Sequence, residues 1–139
     1  MNQKQPQQKG QQRILVVDDE PDVTYTLKAT LEATGFFDIY PFNEPNLALS
    51  NFRPNTYDLA ILDIRMPQMN GFELLHEISK IDENLKVCFL TAVSELTEYA
   101  TAIMKIYPPL DGNCIIKKPI DNMELAKQIN RILGPHATG

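Results

Sequence analysis

Three acidic residues stand where two apolar runs end. Ile14-Leu15-Val16-Val17 stops at Asp18-Asp19, and Leu59-Ala60-Ile61-Leu62 stops at Asp63. Two further apolar runs end in a hydroxyl and an amine: Val87-Cys88-Phe89-Leu90 runs into Thr91, and Cys114-Ile115-Ile116 into Lys117-Lys118-Pro119. If the four runs are parallel strands of one sheet, these groups gather at a single edge. Carboxylates so gathered repel one another unless a cation sits among them. Mg²⁺, or Mn²⁺, is the expected ion, because Mg²⁺ takes oxygen ligands at about 2.0–2.1 Å and is usually held by one or two carboxylates, waters and phosphate oxygens. A lysine and a hydroxyl opposite the acids suit phosphate chemistry.

A carboxylate can also act as the nucleophile and form an aspartyl phosphate. That transfer needs positioning and charge neutralisation more than covalent help. Asp63 is the single acid at the end of its run, so it is assigned as the acceptor, with Asp18 and Asp19 as metal ligands. Lys118 would hold a phosphoryl oxygen from the opposite side, Thr91 would hydrogen-bond the product, and Ala92 would leave room for its approach. Pro119 biases Lys118 toward extended backbone at the strand end. The plainer reading, in which the aspartates cap helices and turns and Lys118 is a solvated surface residue, accounts for each residue singly but not for their convergence.

The elements that must position these groups can be read from periodicity. Glu20-Pro21-Asp22 opens a helix whose stripe is Val23, Leu27 and Leu31, stopped at Gly35. Asp38–Phe42 is a weak strand that Pro41 confines to a sheet edge. A short helix over 44–53 carries Leu47, Leu49 and Phe52; a helix opened by Gly71 carries Phe72, Leu75 and Ile78. After the strand at 86–90 a helix is expected over 94–106, then an irregular loop at 107–113, whose two prolines and glycine forbid regular structure. The strand at 114–117 leads to a last helix, capped by Asp121, with Leu125, Ile129 and Ile132 inward and Gly134-Pro135 at its end. Short apolar strands alternating with helices predict an α/β fold: a doubly wound, five-stranded parallel sheet covered on both faces, a (βα)5 three-layer sandwich. With the proline-bearing second strand at an edge the order is 2-1-3-4-5, the flavodoxin-like arrangement. Its switch point falls between strands 1 and 3, where Asp18, Asp19 and Asp63 lie.

Composition narrows the field. The 139 residues fit one domain, with 43% apolar and 22% charged residues, and the net charge of −5 argues against a nucleic-acid surface. No run approaches roughly 18 apolar residues, and the N-terminus lacks the apolar core of a signal peptide, so a cytoplasmic protein without a membrane span is expected. Cys88 and Cys114 lie inside apolar runs and read as buried thiols. Residues 1–12 form a Gln-rich segment too polar to order itself, the domain proper runs over 13–133, and 134–139 is a C-terminal tail.

The motifs VVDDEPD (16–22), LAILDIRMPQMNG (59–71), LTA (90–92) and KKP (117–119) together resemble the receiver domain of two-component response regulators, the CheY-like superfamily, over about Arg13 to Leu133. The resemblance implies Asp18 and Asp19 as Mg²⁺ ligands and Asp63 as phosphoacceptor. It implies the Arg65 backbone carbonyl as a further metal ligand, Thr91 as the switch hydroxyl and Lys118 as the phosphoryl contact. The donor would be a histidine kinase or phosphotransfer protein, and the output a changed face of the fourth helix, fifth strand and fifth helix that binds a downstream protein or a second copy. Two departures stand out. Ile115 occupies a position that is usually aromatic in the family, and the stretch from Thr91 to Lys118 is longer than usual. Arg65 and Val93 occupy positions that govern water access in the family, and their bulk and apolarity suggest slow hydrolysis.

Other readings are weaker. A phosphatase of the haloacid-dehalogenase type needs an acid at Arg65, and a flavin carrier needs phosphate donors where Asp18-Asp19-Glu20 would repel one. A degenerate receiver that binds partners without phosphorylation is the main alternative, kept open by Ile115. The length leaves no room for an attached output domain, so the chain is expected to be a stand-alone receiver or an excerpt of a longer one.

Overall fold

The computed structural model describes residues 11–92 and 115–134. Five strands, β1 (Gln12–Val17), β2 (Phe37–Phe42), β3 (Leu59–Asp63), β4 (Lys86–Ala92) and β5 (Ile115–Lys118), alternate with α1 (Pro21–Glu32), α2 (Pro45–Ser50), α3 (Gly71–Ser79) and a C-terminal helix (Asn122–Leu133). The strands form one sheet in the order β2-β1-β3-β4-β5, every pair parallel, as the hydrophobic pattern predicts. The expected helix over 94–106, the loop at 107–113, Val93 and Cys114 lie outside the described residues.

Side-chain alternation divides the core between the two faces. Ile14 and Val16 of β1 and Leu59 and Ile61 of β3 pack with Leu27 and Leu31 of α1 and with Leu125 and Ile129 of the C-terminal helix. Leu15 and Val17 of β1 and Ala60 and Leu62 of β3 pack instead with Phe52 after α2 and with Phe72, Leu74 and Ile78 of α3. Both faces are therefore dry, which is why these strands read as unbroken apolar runs. Cys88 is one of the buried core residues.

Boundaries differ where backbone pairing overrides hydrophobicity. β1 starts at Gln12, one residue before the expected domain start, because Gln12 N–H donates to Phe36 O and its Cα pairs with Phe37. β3 and β4 run on through Asp63 and Ala92, and β5 is shifted one residue to end at Lys118, since ladder bonds continue past the last apolar side chain. α2 is shorter than expected; its buried face is Pro45 and Ala48, so Leu47 is 49% exposed, while Phe52 beyond its end turns into the core. In α3 the buried stripe runs through Leu74, with Leu75 only half-buried. Asp121 caps the last helix as expected, its Oδ1 accepting from Met123 N at 2.9 Å and Glu124 N at 3.1 Å.

The start of α3 is held by a motif between Asn70 and Glu73. Asn70 Oδ1 accepts from Glu73 N at 2.8 Å and Glu73 Oε1 accepts from Asn70 N at 2.9 Å, a reciprocal capping box. It places Gly71 directly beneath the end of β3. Gly71 N–H donates to Ile64 O at 2.9 Å, and a Cβ at Gly71 would overlap the Asp63 carbonyl oxygen. A glycine at a helix start would ordinarily gain from an alanine. Here Gly71→Ala is expected to destabilise the domain by roughly 1–3 kcal/mol, because backbone must move. Urea unfolding checks this, and a variant as stable as the parent contradicts it.

Candidate functional site

The register of the sheet explains the convergence of acids. β1 and β3 pair as Val16↔Ile61 and Val17↔Leu62, so the next step along both strands sets Asp18 beside Asp63. By alternation both belong to the face covered by α1 and the C-terminal helix. Both are buried, Asp18 at 0% and Asp63 at 3% exposure. Asp19, half-buried, completes a triad whose ligand oxygens all lie within 4.8 Å of one another.

The same parity selects the lysine. In β5, Ile116 packs into the core shared by α1 and the C-terminal helix, so two residues on Lys118 points the same way, while Lys117 is exposed. Lys118 Nζ lies 3.0 Å from Asp18 Oδ2, 2.9 Å from Glu20 Oε1 and 3.6 Å from Asp63 Oδ1. Its contact with Asp18 Oδ2 is an ion pair. Asp18 Oδ1 accepts from Glu20 N at 2.9 Å, and Asn43 Nδ2 donates to Asp18 O at 2.9 Å and to Thr24 Oγ1 at 3.0 Å. The loop after β2 thus clamps the turn that carries the acids. Neither Glu20 nor Asn43 is anticipated as a site residue from the sequence. For Glu20 the signal was its place directly after the Asp pair, whereas Asn43 has none, since its contact spans 25 positions.

These groups line a cleft of about 490 Å³ bounded by Asp19, Glu20, Asp63, Arg65, Ala92 and Lys118. Arg65, expected as a backbone ligand, stands at the cleft wall with an exposed side chain. Thr91 reaches the same sheet edge, one residue beyond Leu90, which pairs with Asp63. It is fully buried and its hydroxyl donates to Ala92 O at 3.2 Å, while Ala92 itself faces the cleft. A larger polar hollow, about 560 Å³, lies at the other end of the strands. Its acids are already engaged by backbone amides, Asp58 by Arg13 N at 2.9 Å and Asp82 by Asn55 N at 3.0 Å.

Electrostatics follow from this packing. Burial, together with the neighbouring Asp18 charge, pushes the Asp63 carboxyl up to about 8, with Lys118 opposing. Burial also raises Asp18 despite its bonds from Glu20 N and Lys118. Burial alone would lower the Lys118 ammonium, but its bonds to Glu20 and Asp18 outweigh that and raise it. Four carboxyl groups, Asp18, Asp19, Glu20 and Asp63, against one ammonium leave a surplus of acidic groups. The donor set fits a hard divalent cation, since ligand oxygens this close need only small shifts to reach octahedral spacing.

Residues 14–130 match the response regulator receiver domain family, and the chain belongs to that family. It is 34% identical over 121 residues to the transcriptional regulatory protein CpxR homolog of Haemophilus influenzae, covering 87% of this chain and 50% of that protein. It is 29% identical over 122 residues to the probable transcriptional regulator ycf27 of Guillardia theta, covering 88% of this chain and 45% of that one. The chain therefore spans about half the length of the curated relatives it matches. The solved structure of the non-phosphorylated HemR receiver domain from Leptospira biflexa superposes with a TM-score of 0.74 at 29% identity, covering 88% of this chain and 94% of that one. Domains of this family are signalling modules rather than enzymes, and phosphorylation and Mg²⁺ are general features of the family. No helix among the described residues is long and apolar enough to cross a membrane.

A group whose folded pKa lies above its unfolded value favours folding below the unfolded value and loses that advantage as pH rises through the folded one. For Asp63 the window runs from the ordinary carboxylate value of 3.8 to about 8. In metal-free buffer above pH 8, Asp63→Asn is therefore expected to raise stability by about 1–2 kcal/mol, or ~3–10 °C in Tm. The gain should shrink toward pH 5 and when Mg²⁺ is added to both proteins. Thermal melts at two pH values check this; an unchanged or lowered Tm for the variant at high pH contradicts it.

Proposed function

We propose that this domain is the phosphoacceptor switch of a two-component phosphorelay, with Asp63 phosphorylated by a histidine kinase or phosphotransfer protein. The observation that carries the reading is the placement of one buried carboxylate, Asp63, between two acids and an ammonium at the floor of an open cleft. An oxygen of Asp63 attacks phosphorus, the O–P bond forms, and the bond from phosphorus to the donor's imidazole nitrogen breaks, the nitrogen keeping the electron pair. Asp18, Asp19, Asp63 and the Arg65 carbonyl are the groups that would hold Mg²⁺ or Mn²⁺. The ion supplies neutralisation of the phosphoryl oxygens as charge moves.

Lys118 meets a remaining phosphoryl oxygen, since its ammonium already stands 3.6 Å from Asp63 Oδ1. Ala92 offers only a methyl at the cleft wall, which leaves space for the incoming group. Thr91 would have to turn its hydroxyl from the Ala92 carbonyl toward the product, and that rotation is the local event by which modification reaches the rest of the sheet. A downstream protein, or a second copy, then reads the face that includes β5 and the C-terminal helix.

Incubation with acetyl phosphate and Mg²⁺ should add one phosphoryl group by intact mass, absent from Asp63→Asn and from an EDTA control. No adduct on the parent protein would replace this reading with a domain that binds partners unmodified. The bulky Arg65 side chain at the cleft wall limits the approach of water. Arg65→Gly should accordingly shorten the aspartyl-phosphate lifetime by about two- to tenfold, a factor within reach of losing one barrier of about 1 kcal/mol. Chase experiments after removal of the donor measure it; an unaltered lifetime leaves Arg65 without that role.

A further inference from the structure

Glu20 is the first residue after the acidic pair and the N-cap of α1, yet its side chain makes no capping bond. Asp18 Oδ1 takes the Glu20 amide instead, and the Glu20 carboxylate turns across the cleft to Lys118 Nζ at 2.9 Å. Of the three carboxylates around that ammonium, Asp63 is the most distant, at 3.6 Å. Asp18 and Asp63 belong to the triad that fits a metal, whereas Glu20 stands outside it. Glu20 is also the solvent-side partner: its side chain is 59% exposed, against 19% for Lys118 and 4% for Asp63.

We propose that Glu20 is a positioning residue that restrains phosphoryl transfer by holding Lys118 toward the mouth of the cleft, away from Asp63. The inference rests on the phosphoacceptor reading and deepens it. Once Asp18 turns to a metal, Glu20 is the remaining carboxylate outside the ligand set that competes with a phosphoryl oxygen for the ammonium. The pull is outward, toward solvent, while the phosphoryl group must sit on the buried Asp63. Its charge also stands where an anionic donor enters. The restraint is modest, because an exposed ion pair is weak and salt-screened. Its removal is expected to matter as a change of rate rather than as gain or loss of function.

The test is the rate of adduct formation with acetyl phosphate at saturating Mg²⁺, followed by intact mass, for the parent, Glu20→Gln, Lys118→Met and the double variant. Glu20→Gln should react about two- to fivefold faster at low ionic strength, with the gain fading in high salt and vanishing in the Lys118→Met background. Glu20→Asp, which keeps the charge but shortens the reach, should behave more like Glu20→Gln than like the parent. If Lys118→Met is too slow to read, the ¹⁵N resonance of Lys118 Nζ decides, since it must shift on Glu20→Gln in the metal-loaded protein. An equal gain with and without Lys118, an unmoved resonance, or no gain at all overturns the proposal while leaving Asp63 as acceptor. A slower Glu20→Gln with Mg²⁺ affinity reduced more than tenfold also overturns it and puts Glu20 in the metal site. No adduct on the parent protein removes the phosphoacceptor reading and this inference together.

Discussion

A carboxylate withdrawn from water is costly unless an opposite charge meets it, and two at adjacent positions cost more than twice one. In this domain the β1–β3 register imposes that arrangement on Asp18 and Asp63, and much of the rest can be understood as its consequence. Lys118 arrives from the far side of the sheet to supply the missing positive charge, and its ion pairs with Asp18, Glu20 and Asp63 join β5 to the turn after β1 and the end of β3. Three carboxylates share one ammonium, so the site carries negative charge in excess. A bound cation would change that charge balance directly.

The scaffold around these charges is stiff where it needs to be. Gly71 lets α3 start against the backbone of Asp63 and Ile64, fixing the end of β3, and the Asn70–Glu73 capping box fixes where that helix begins. Asn43 does the same for the turn after β1 by holding Asp18 O and Thr24 Oγ1 together. The mouth of the cleft is different in kind. Glu20 and Arg65 stand exposed at its wall, on the turns that follow β1 and β3. Anchored backbone thus lies beneath the site, and exposed charge lies at its mouth.

Much of this was legible in the chain itself. Apolar runs ending in acids, a hydroxyl and a lysine implied parallel strands with a common chemical edge, and the strand order followed from one proline in a weak strand. What was less legible depended on pairing and parity. Gln12 looks like tail and is strand because Phe36 and Phe37 offer it partners. Leu47 looks like core and is half exposed because Pro45, Ala48 and Phe52 supply the buried face there. Thr91 reads as a site residue from its place at a strand end, but the partner of its hydroxyl, the Ala92 carbonyl, is visible only in the structure.

The sequence by itself determined which groups could do chemistry and at which ends of which strands they lie, because hydrophobic period and strand length are local properties. Only the tertiary structure decided which of them meet. Lys118, expected at the site from the sequence, comes within 3.0 Å of Asp18 Oδ2 because alternation is counted from a buried Ile116. Glu20 becomes a partner of Lys118 across 98 positions because two distant strands end at the same edge. Contacts of that range depend on register, and register is settled by the packing of the whole sheet rather than by any one stretch of chain.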